Sequence, residues 1–136
     1  MLILGMICQM TDLESVYGMP PQLLRGEIWR VNLNPGKGSE IQKIRPAVII
    51  SSDLTIGHPV RLVVPITGWD TKYGRVRWIV PIKNTTTNGL EKPSAADTTA
   101  TRSLAISVER FKQKLGNLEP EALTRVVSAL ADVIEF

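Results

Sequence analysis

Apolar and polar positions alternate with a period of two along the middle of the chain, the pattern of half-buried β-strands. In residues 27–33, apolar side chains recur at every second position from Trp29. Residues 45–51 are almost continuously apolar, which predicts a buried strand. Three further strands are predicted at 60–66, 76–82 and 104–108. Because proline has no N–H to donate, Pro65 and Pro81 predict edge strands or bulges.

The period changes near the C-terminal end of the chain. Apolar residues there recur at spacings of three and four: Leu123, Val126, Val127, Leu130 and Ile134. This spacing predicts one face of an amphipathic helix, with Pro120 suited to its first turn. Short strands followed by a terminal helix predict a mainly β fold, a small and partly open barrel closed by a C-terminal α-helix.

Residues 1–24 differ from the rest of the chain. The first eight residues are apolar, but they have no basic flank and are much shorter than the roughly 20 residues of a membrane helix. Neither a secretory signal nor a membrane span is therefore expected. We expect a domain over residues 25–136, preceded by an N-terminal arm over residues 1–24 that is either disordered or an over-long start assignment.

The distribution of charge is more informative than its total. The formal net charge is only +3. However, residues 25–115 hold 15 Lys and Arg against 7 Asp and Glu, a surplus of eight positive charges. From residue 116 onward, Arg125 is the only base among four acids. A middle segment this basic attracts a polyanion such as nucleic acid if its bases share a face. An ordinary solvated surface is the alternative.

Cysteine and histidine are too scarce for several kinds of site. The chain has one Cys, Cys8, and one His, His58. A disulfide framework, a zinc finger and a His/Cys-rich metal site are thereby excluded. A Cys-His or Ser-His catalytic arrangement is also disfavoured. We expect no metal and no cofactor, and a chain without disulfides is compatible with a cytoplasmic location.

The densest polar cluster precedes the buried strand of residues 45–51. It contains Glu40, Lys43 and Arg45 in a loop that leads directly into this strand. Functional sites often lie on such loops, although a solvated loop gives the same pattern. Arg45 stands out because Pro46 and an apolar strand follow it. We expect its guanidinium to be partly buried and to need an anionic partner or ligand.

Five segments, taken in order, carry a family resemblance. They read RGEIW at 25–29, GSE at 38–40, RPAVIIS at 45–51, VVPIT at 63–67, and Asp97 followed by RSL at 102–104. This combination resembles the MazF/PemK family of toxin ribonucleases. The resemblance implies an SH3-like barrel of the CcdB/PemK type, assembled as a homodimer. It also implies metal-independent cleavage of single-stranded RNA such as mRNA, at short sequences, and neutralisation by a cognate antitoxin.

The resemblance also suggests catalytic residues. Arg45 matches the catalytic arginine of the family and Thr67 its catalytic threonine. Glu40 matches an acidic loop position and is a candidate proton acceptor, with a surface carboxylate as the alternative interpretation. Asp97 matches the aspartate that some PemK-type members use as the base. Those members have an arginine and a histidine where this chain has Ala95 and Ser39, so the identity of the base stays open.

A second set of residues is predicted to bind RNA. Basic grooves hold single-stranded RNA, and aromatic rings stack on its bases. The candidates are Lys37, Ser39, Lys43, Trp69, Tyr73, Arg75 and Arg77. Arg75 and Arg77 share a face if residues 76–82 and the residue before them form a regular strand. Trp69 and Tyr73 fit base stacking or antitoxin contact, whereas Trp29 fits core packing.

Two other functions fit parts of the pattern. The same type of barrel occurs in the CcdB-type toxin, which blocks DNA gyrase by protein contact and without catalysis. A passive single-strand-binding domain of the OB or SH3 type explains the basic middle segment. Neither of them needs the combination of Glu40, Arg45 and Thr67, so the nuclease is the preferred hypothesis.

Overall fold

The computed structural model describes residues 23–38, 40 and 43–135. These residues form seven strands and one α-helix. The elements are β1 (Glu27–Asn32), β2 (Ile44–Ile49), β3 (Val60–Gly68), β4 (Ile79–Ile82), β5 (Ser94–Asp97), β6 (Arg102–Ala105), β7 (Phe111–Asn117) and α1 (Pro120–Val133). Most of the predicted N-terminal arm, residues 1–22, lies outside this description. Leu23, near the end of that arm, is buried in the core.

All strand pairs are antiparallel and form one open sheet in the order β4-β5-β3-β2-β1-β7, with β6 also paired to β3. The mainly β architecture with a C-terminal helix is as predicted. The second half of β2, residues 47–49, is buried on both faces, because its alternate residues enter two different hydrophobic clusters. The predicted buried strand is confirmed for this half, whereas Ile44 at the start of β2 is 48% exposed. Val48 packs in the cluster under α1, whereas Ala47 and Ile49 pack with Trp29 and Phe111 on the opposite face.

The prediction for residues 76–82 was only partly right. Strand β4 begins at Ile79, because a 3₁₀ turn over Thr71–Arg75 is followed by hydrogen bonds from Val76 N–H to the Tyr73 carbonyl (3.0 Å) and from Ile79 N–H to the Val76 carbonyl (3.2 Å). Arg75 is therefore the last residue of the turn, and Arg77 lies in the segment that connects the turn to β4. The condition under which these two arginines would share a strand face, a regular strand from this point, is therefore not met.

The two strand prolines have different environments. Pro81 lies in β4, which is an edge strand, as predicted. For Pro65, of the two predicted alternatives, an edge or a bulge, the edge is wrong, because β3 has β2 on one side and both β6 and β5 on the other. Pairing with β6 extends to Val63, and pairing with β5 starts at Ile66. Pro65 thus occupies the gap between these two partners, where a missing donor is tolerated.

Helix α1 begins with Pro120 at its first position, as predicted. Its buried residues are Ala122, Val126 and Ala129, with Leu123 and Leu130 packed at the side of the core. The predicted buried face of the helix was therefore partly wrong. Alanines occupy the central positions where the helix lies against the sheet, and Ile134 lies beyond the end of the helix and is 64% exposed. Among the described residues, no helix has the length and apolar character needed to span a membrane.

Candidate active site

Arg45 and Thr67 line the same cleft, which has a volume of about 200 Å³. Arg45 is the second residue of β2 and Thr67 lies near the end of β3. The two strands pair with Ala47 opposite Pro65, so continuing this register by two residues puts Arg45 opposite Thr67 on the same face. We call this space the Arg45 cleft, defined by Arg30, Arg45, Thr67, Gly68, Glu91 and Lys92.

The Arg45 cleft is electropositive. It contains the cationic side chains of Arg30, Arg45 and Lys92 and one acidic side chain, Glu91. Arg45 is half-buried, as predicted from the proline and the apolar strand that follow it. Thr67 is also half-buried, and its hydroxyl is 3.4 Å from the Gly68 carbonyl, too long for a strong hydrogen bond. The Arg45 cleft thus has positive side chains and the Thr67 hydroxyl, which is only weakly hydrogen-bonded within the protein. This combination is suited to binding an anionic oxygen.

Glu40 and Asp97 line a second and larger cleft, of about 490 Å³. We call it the Asp97 cleft, defined by Glu40, Pro65, Asp97, Thr99, Arg102 and Ser103. Asp97 caps a 3₁₀ turn by accepting from the backbone N–H (3.0 Å) and the hydroxyl (2.7 Å) of Thr99. The exposed Glu40 accepts from the Lys37 N–H at 2.8 Å. Both carboxylates therefore hold the backbone of their own loops.

The two clefts are neighbours along β3. Pro65 lines the Asp97 cleft, and Thr67, two residues further on the same face of the strand, lines the Arg45 cleft. The four predicted catalytic residues are thus divided into two pairs, Arg45 with Thr67 and Glu40 with Asp97.

Residues 24–134 match the family described as PemK-like, MazF-like toxin of type II toxin-antitoxin system. The chain belongs to this toxin family. It is 34% identical over 112 residues to endoribonuclease MazF9 of Mycobacterium tuberculosis strain ATCC 25618 / H37Rv, an alignment that covers 78% of this chain and 91% of that protein. The family resemblance read from the sequence motifs is confirmed.

Solved structures show the same fold for members of this PemK/MazF family. The crystal structure of MazF from Deinococcus radiodurans aligns with a TM-score of 0.68 at 16% identity, covering 87% of this chain and 98% of that one. A mycobacterial endoribonuclease, solved in complex with its cognate antitoxin, aligns with a TM-score of 0.65 at 18% identity, covering 85% and 97%. At these identities the likeness concerns the fold.

One wall of the Arg45 cleft in this PemK/MazF member comes from a loop that is fastened to the start of α1. The Asn88 side chain is fully buried, and its amide donates to the Lys83 carbonyl (2.9 Å) and to Glu119 Oε1 (3.1 Å). The Thr85 hydroxyl donates to Glu119 Oε2 at 2.7 Å. Burial alone raises the pKa of Glu119, but these bonds and one from its own backbone outweigh burial and hold the pKa below its usual value.

Two glycines bring the same loop close to β7. A Cβ at Gly89, which has φ +70°, would lie 2.0 Å from the Leu115 carbonyl oxygen, and one at Gly116 would lie 2.3 Å from the Thr87 carbonyl oxygen. Asn117 N–H donates to that Thr87 carbonyl at 2.9 Å. The loop is therefore held by backbone contact on one side and by the Glu119 carboxylate on the other.

The predicted RNA-binding residues do not all lie together. Trp69 and Tyr73 pack edge to face with ring centroids 5.9 Å apart, and Lys72 Nζ lies 5.5 Å from the Tyr73 ring centroid. Trp69 directly follows Gly68, which lines the Arg45 cleft, but neither Trp69 nor Tyr73 lines that cleft. Arg77 instead lies 3.8 Å from Asp132 near the end of α1. Lys37 and Lys43 are exposed in the loop before β2, and Ser39 lies outside the described residues.

Three basic residues of the clefts were not selected as site residues from the sequence. Arg30 could have been found, because it lies between the inward-facing Trp29 and Val31 and must face the other way. Arg102 belongs to a matched motif, and its guanidinium donates to the Leu33 carbonyl at 2.9 Å. Lys92 has no sequence signal, because only the pairing of β3 with β5 brings it to the cleft.

Proposed function

We propose that this protein is the toxin of a type II toxin–antitoxin system and an endoribonuclease that cleaves single-stranded RNA at selected short sequences without a metal ion. The observation that carries the proposal is the presence of Arg45, near the start of β2, and Thr67, near the end of β3, in one electropositive cleft. Membership of the PemK/MazF family and the similarity to a curated endoribonuclease support the same activity.

The chemistry needs charge stabilisation and proton transfer. RNA supplies its own nucleophile: the 2′-oxygen forms a bond to phosphorus, and the bond from phosphorus to the 5′-oxygen breaks. Negative charge builds up on the phosphoryl oxygens in the transition state. The Arg45 guanidinium matches two such oxygens and keeps its charge, and the Thr67 hydroxyl donates a further hydrogen bond. The departing 5′-oxygen takes up a proton from solvent water, so the products are a 2′,3′-cyclic phosphate and a 5′-hydroxyl.

The proton of the 2′-hydroxyl must pass to a base. Glu40 and Asp97 are both candidates, because the Asp97 cleft adjoins the Arg45 cleft along β3. Asp97 has the better-fixed backbone, since it pairs with Ile79 in the sheet and caps a turn. Asn keeps such a cap while it removes the charge, so Asp97→Asn separates the two roles of this carboxylate.

RNA beyond the cut site is proposed to contact the aromatic cluster of Trp69 and Tyr73 and nearby basic side chains. A cognate antitoxin protein and a homodimeric assembly are proposed from family membership. The structure of a related mycobacterial endoribonuclease with its cognate antitoxin supports the first of these. Competition between antitoxin and RNA for the Trp69 cluster is then expected.

The function is tested by incubating purified, antitoxin-free protein with mixed-sequence RNA in EDTA and mapping the 5′ ends. We expect cuts at a limited set of sequences and 5′-hydroxyl products. Arg45→Ala should lower the cleavage rate by about 100-fold or more, as removal of a transition-state donor does, without unfolding the protein. A wild-type protein that leaves RNA intact but inhibits DNA gyrase contradicts the proposal and supports the CcdB-type alternative.

A further inference from the structure

The side chain of Lys92 lies across Gly68 in the Arg45 cleft. A Cβ built on Gly68 would be 3.1 Å from both Cε and Nζ of Lys92. Gly68 directly follows Thr67 in β3, and all three residues line the same cleft. The Lys92 ammonium therefore lies beside the residue that follows the proposed catalytic threonine.

The backbone around Lys92 is fixed by the sheet. Trp69 N–H donates to the Pro93 carbonyl at 3.0 Å, and the Ser94 hydroxyl donates to the Lys92 carbonyl at 2.8 Å. Gly68 pairs with Ser94, at the start of β5. These hydrogen bonds hold the Lys92 backbone next to the end of β3.

The charge of Lys92 is not used within the part of the chain that the structure describes. There its ammonium forms no ion pair and no hydrogen bond. Glu91 is the one acidic side chain of the Arg45 cleft among the described residues, and it faces three cations there. The Arg45 cleft therefore has a net positive charge close to Thr67, and this charge can bind a second anionic group of the ligand.

We propose that Lys92 is a second phosphate-binding residue, which holds the RNA backbone beside the phosphate bound by Arg45 and Thr67, and that Gly68 is required to leave room for it. This inference rests on the proposed function and deepens it. Lysine suits this role as a compact point charge, whereas the planar Arg45 guanidinium suits two oxygens of the reacting phosphate. Lys92 is thus assigned to substrate binding and Arg45 to stabilisation of the transition state.

The test uses an RNA with the sequence that the wild-type protein cuts, made uncleavable by a 2′-deoxy nucleotide at the cut. Its Kd is measured between 50 and 200 mM KCl. Lys92→Ala is expected to raise the Kd about 5-fold to 10-fold at the lower salt. It should also make the negative slope of the log association constant against log salt shallower by about 0.7, the value for one lost phosphate contact with single-stranded nucleic acid. Lys92→Arg should restore both values.

A cycle with Gly68→Ala tests the geometry. The three atoms nearest to the added methyl group all belong to the flexible end of Lys92, and Gly68 does not have positive φ, so the variant should fold. We expect Gly68→Ala to weaken binding in the wild-type background and to have no further effect beside Lys92→Ala. Lys112→Ala, an exposed lysine of β7 outside both clefts, is the matched control and should bind like wild type.

The outcomes separate the two levels of the proposal. If wild type cuts RNA but Lys92→Ala binds like Lys112→Ala, the role of Lys92 is wrong and the nuclease function stands. An equal effect of Gly68→Ala in both backgrounds also overturns it, because the alanine then acts on something other than Lys92. If wild type cuts no RNA, the proposed function fails and this inference fails with it.

Discussion

Arginine side chains hold several loops of this toxin together by donating to backbone carbonyl groups. Arg61 is the clearest case: it is buried, and its guanidinium donates to the carbonyls of Leu23, Thr55, Ile56, His58 and Val60 at 2.8–3.2 Å. Burial lowers the pKa of Arg61, and the nearby Asp53 partly opposes this. Arg25 and Arg110 also donate to carbonyls. Part of the basic surplus of the middle segment is therefore structural, which composition alone does not reveal.

At the same scale, two exposed tryptophans allow a controlled test of base stacking. Trp69 is 36% exposed and directly follows Gly68 of the Arg45 cleft in the chain, whereas Trp78 is 46% exposed and lines a separate cleft with Val133. Stacking of one base on an aromatic side chain contributes about 1–3 kcal/mol to binding of single strands. We expect Trp69→Ala to weaken binding of the uncleavable RNA by roughly this amount and Trp78→Ala to leave it unchanged, as measured by fluorescence anisotropy.

The melting temperatures of the two tryptophan variants serve as a check on folding. Both should stay close to wild type, because neither side chain is part of the buried core. Equal RNA binding by wild type and Trp69→Ala would remove the stacking role. The Trp69 and Tyr73 cluster would then be better explained as a surface for the antitoxin.

At the scale of the elements, the loop between β4 and β5 depends on the ionised Glu119 carboxylate. Its pKa is lowered in the folded state, so Glu119 stabilises the fold above its unfolded pKa, and this contribution is lost as the pH falls through the lowered value. We expect Glu119→Gln to lower the free energy of unfolding by about 1 kcal/mol near pH 7. The difference from wild type should shrink as the pH falls below about 4.

Urea unfolding at several pH values measures this effect, and Glu121→Gln is the control. Glu121 is an exposed acid in the first turn of the same helix. The control should not reproduce the pH-dependent difference. A constant gap between wild type and Glu119→Gln down to pH 3 would mean that the ionised carboxylate does not fasten this loop.

The strands that could be predicted from sequence are those with large apolar side chains. Strands β1, β2 and β3 have them, and their pattern is clear. Strand β5 was missed because Ser94, Ala95 and Ala96 are small residues without β-branched side chains. Strand β7 was missed because it is an edge strand in which only Phe111 is buried, so most of its residues are polar. Pairing with neighbouring strands defines these two elements, and pairing is not visible in a single sequence.

The site shows the same division between local and long-range information. Arg45 was predicted to be partly buried from its neighbours Pro46 and the apolar strand, and this is confirmed. Its pairing with Thr67 came from the family resemblance, because the two residues are 22 positions apart. Lys92 reaches Gly68 only through the register of β3 and β5. A residue whose role depends on strand register cannot be found from spacing along the chain.

At the scale of the whole molecule, the charge distribution predicts how RNA affinity depends on salt. The formal charge is only +3, but the Arg45 cleft has three cations and one acid among its described residues. Each phosphate contact with a single strand contributes about −0.7 to the slope of log K against log salt. With Arg45 and Lys92 each binding phosphate, we expect a wild-type slope of about −1.4 or steeper.

Uncleavable RNA in a KCl series with EDTA provides the measurement, since divalent cations then do not compete for the phosphates. The slope should be much closer to zero in Arg45→Ala combined with Lys92→Ala, because both proposed phosphate contacts are then missing. Lys112→Ala should retain the wild-type slope, because Lys112 lies outside the Arg45 cleft. If the slope depended only on net charge, Lys112→Ala would change it as much as Lys92→Ala does. A wild-type slope near zero would mean that base contacts, including those to Trp69, hold the RNA and that the basic cleft does not bind its backbone.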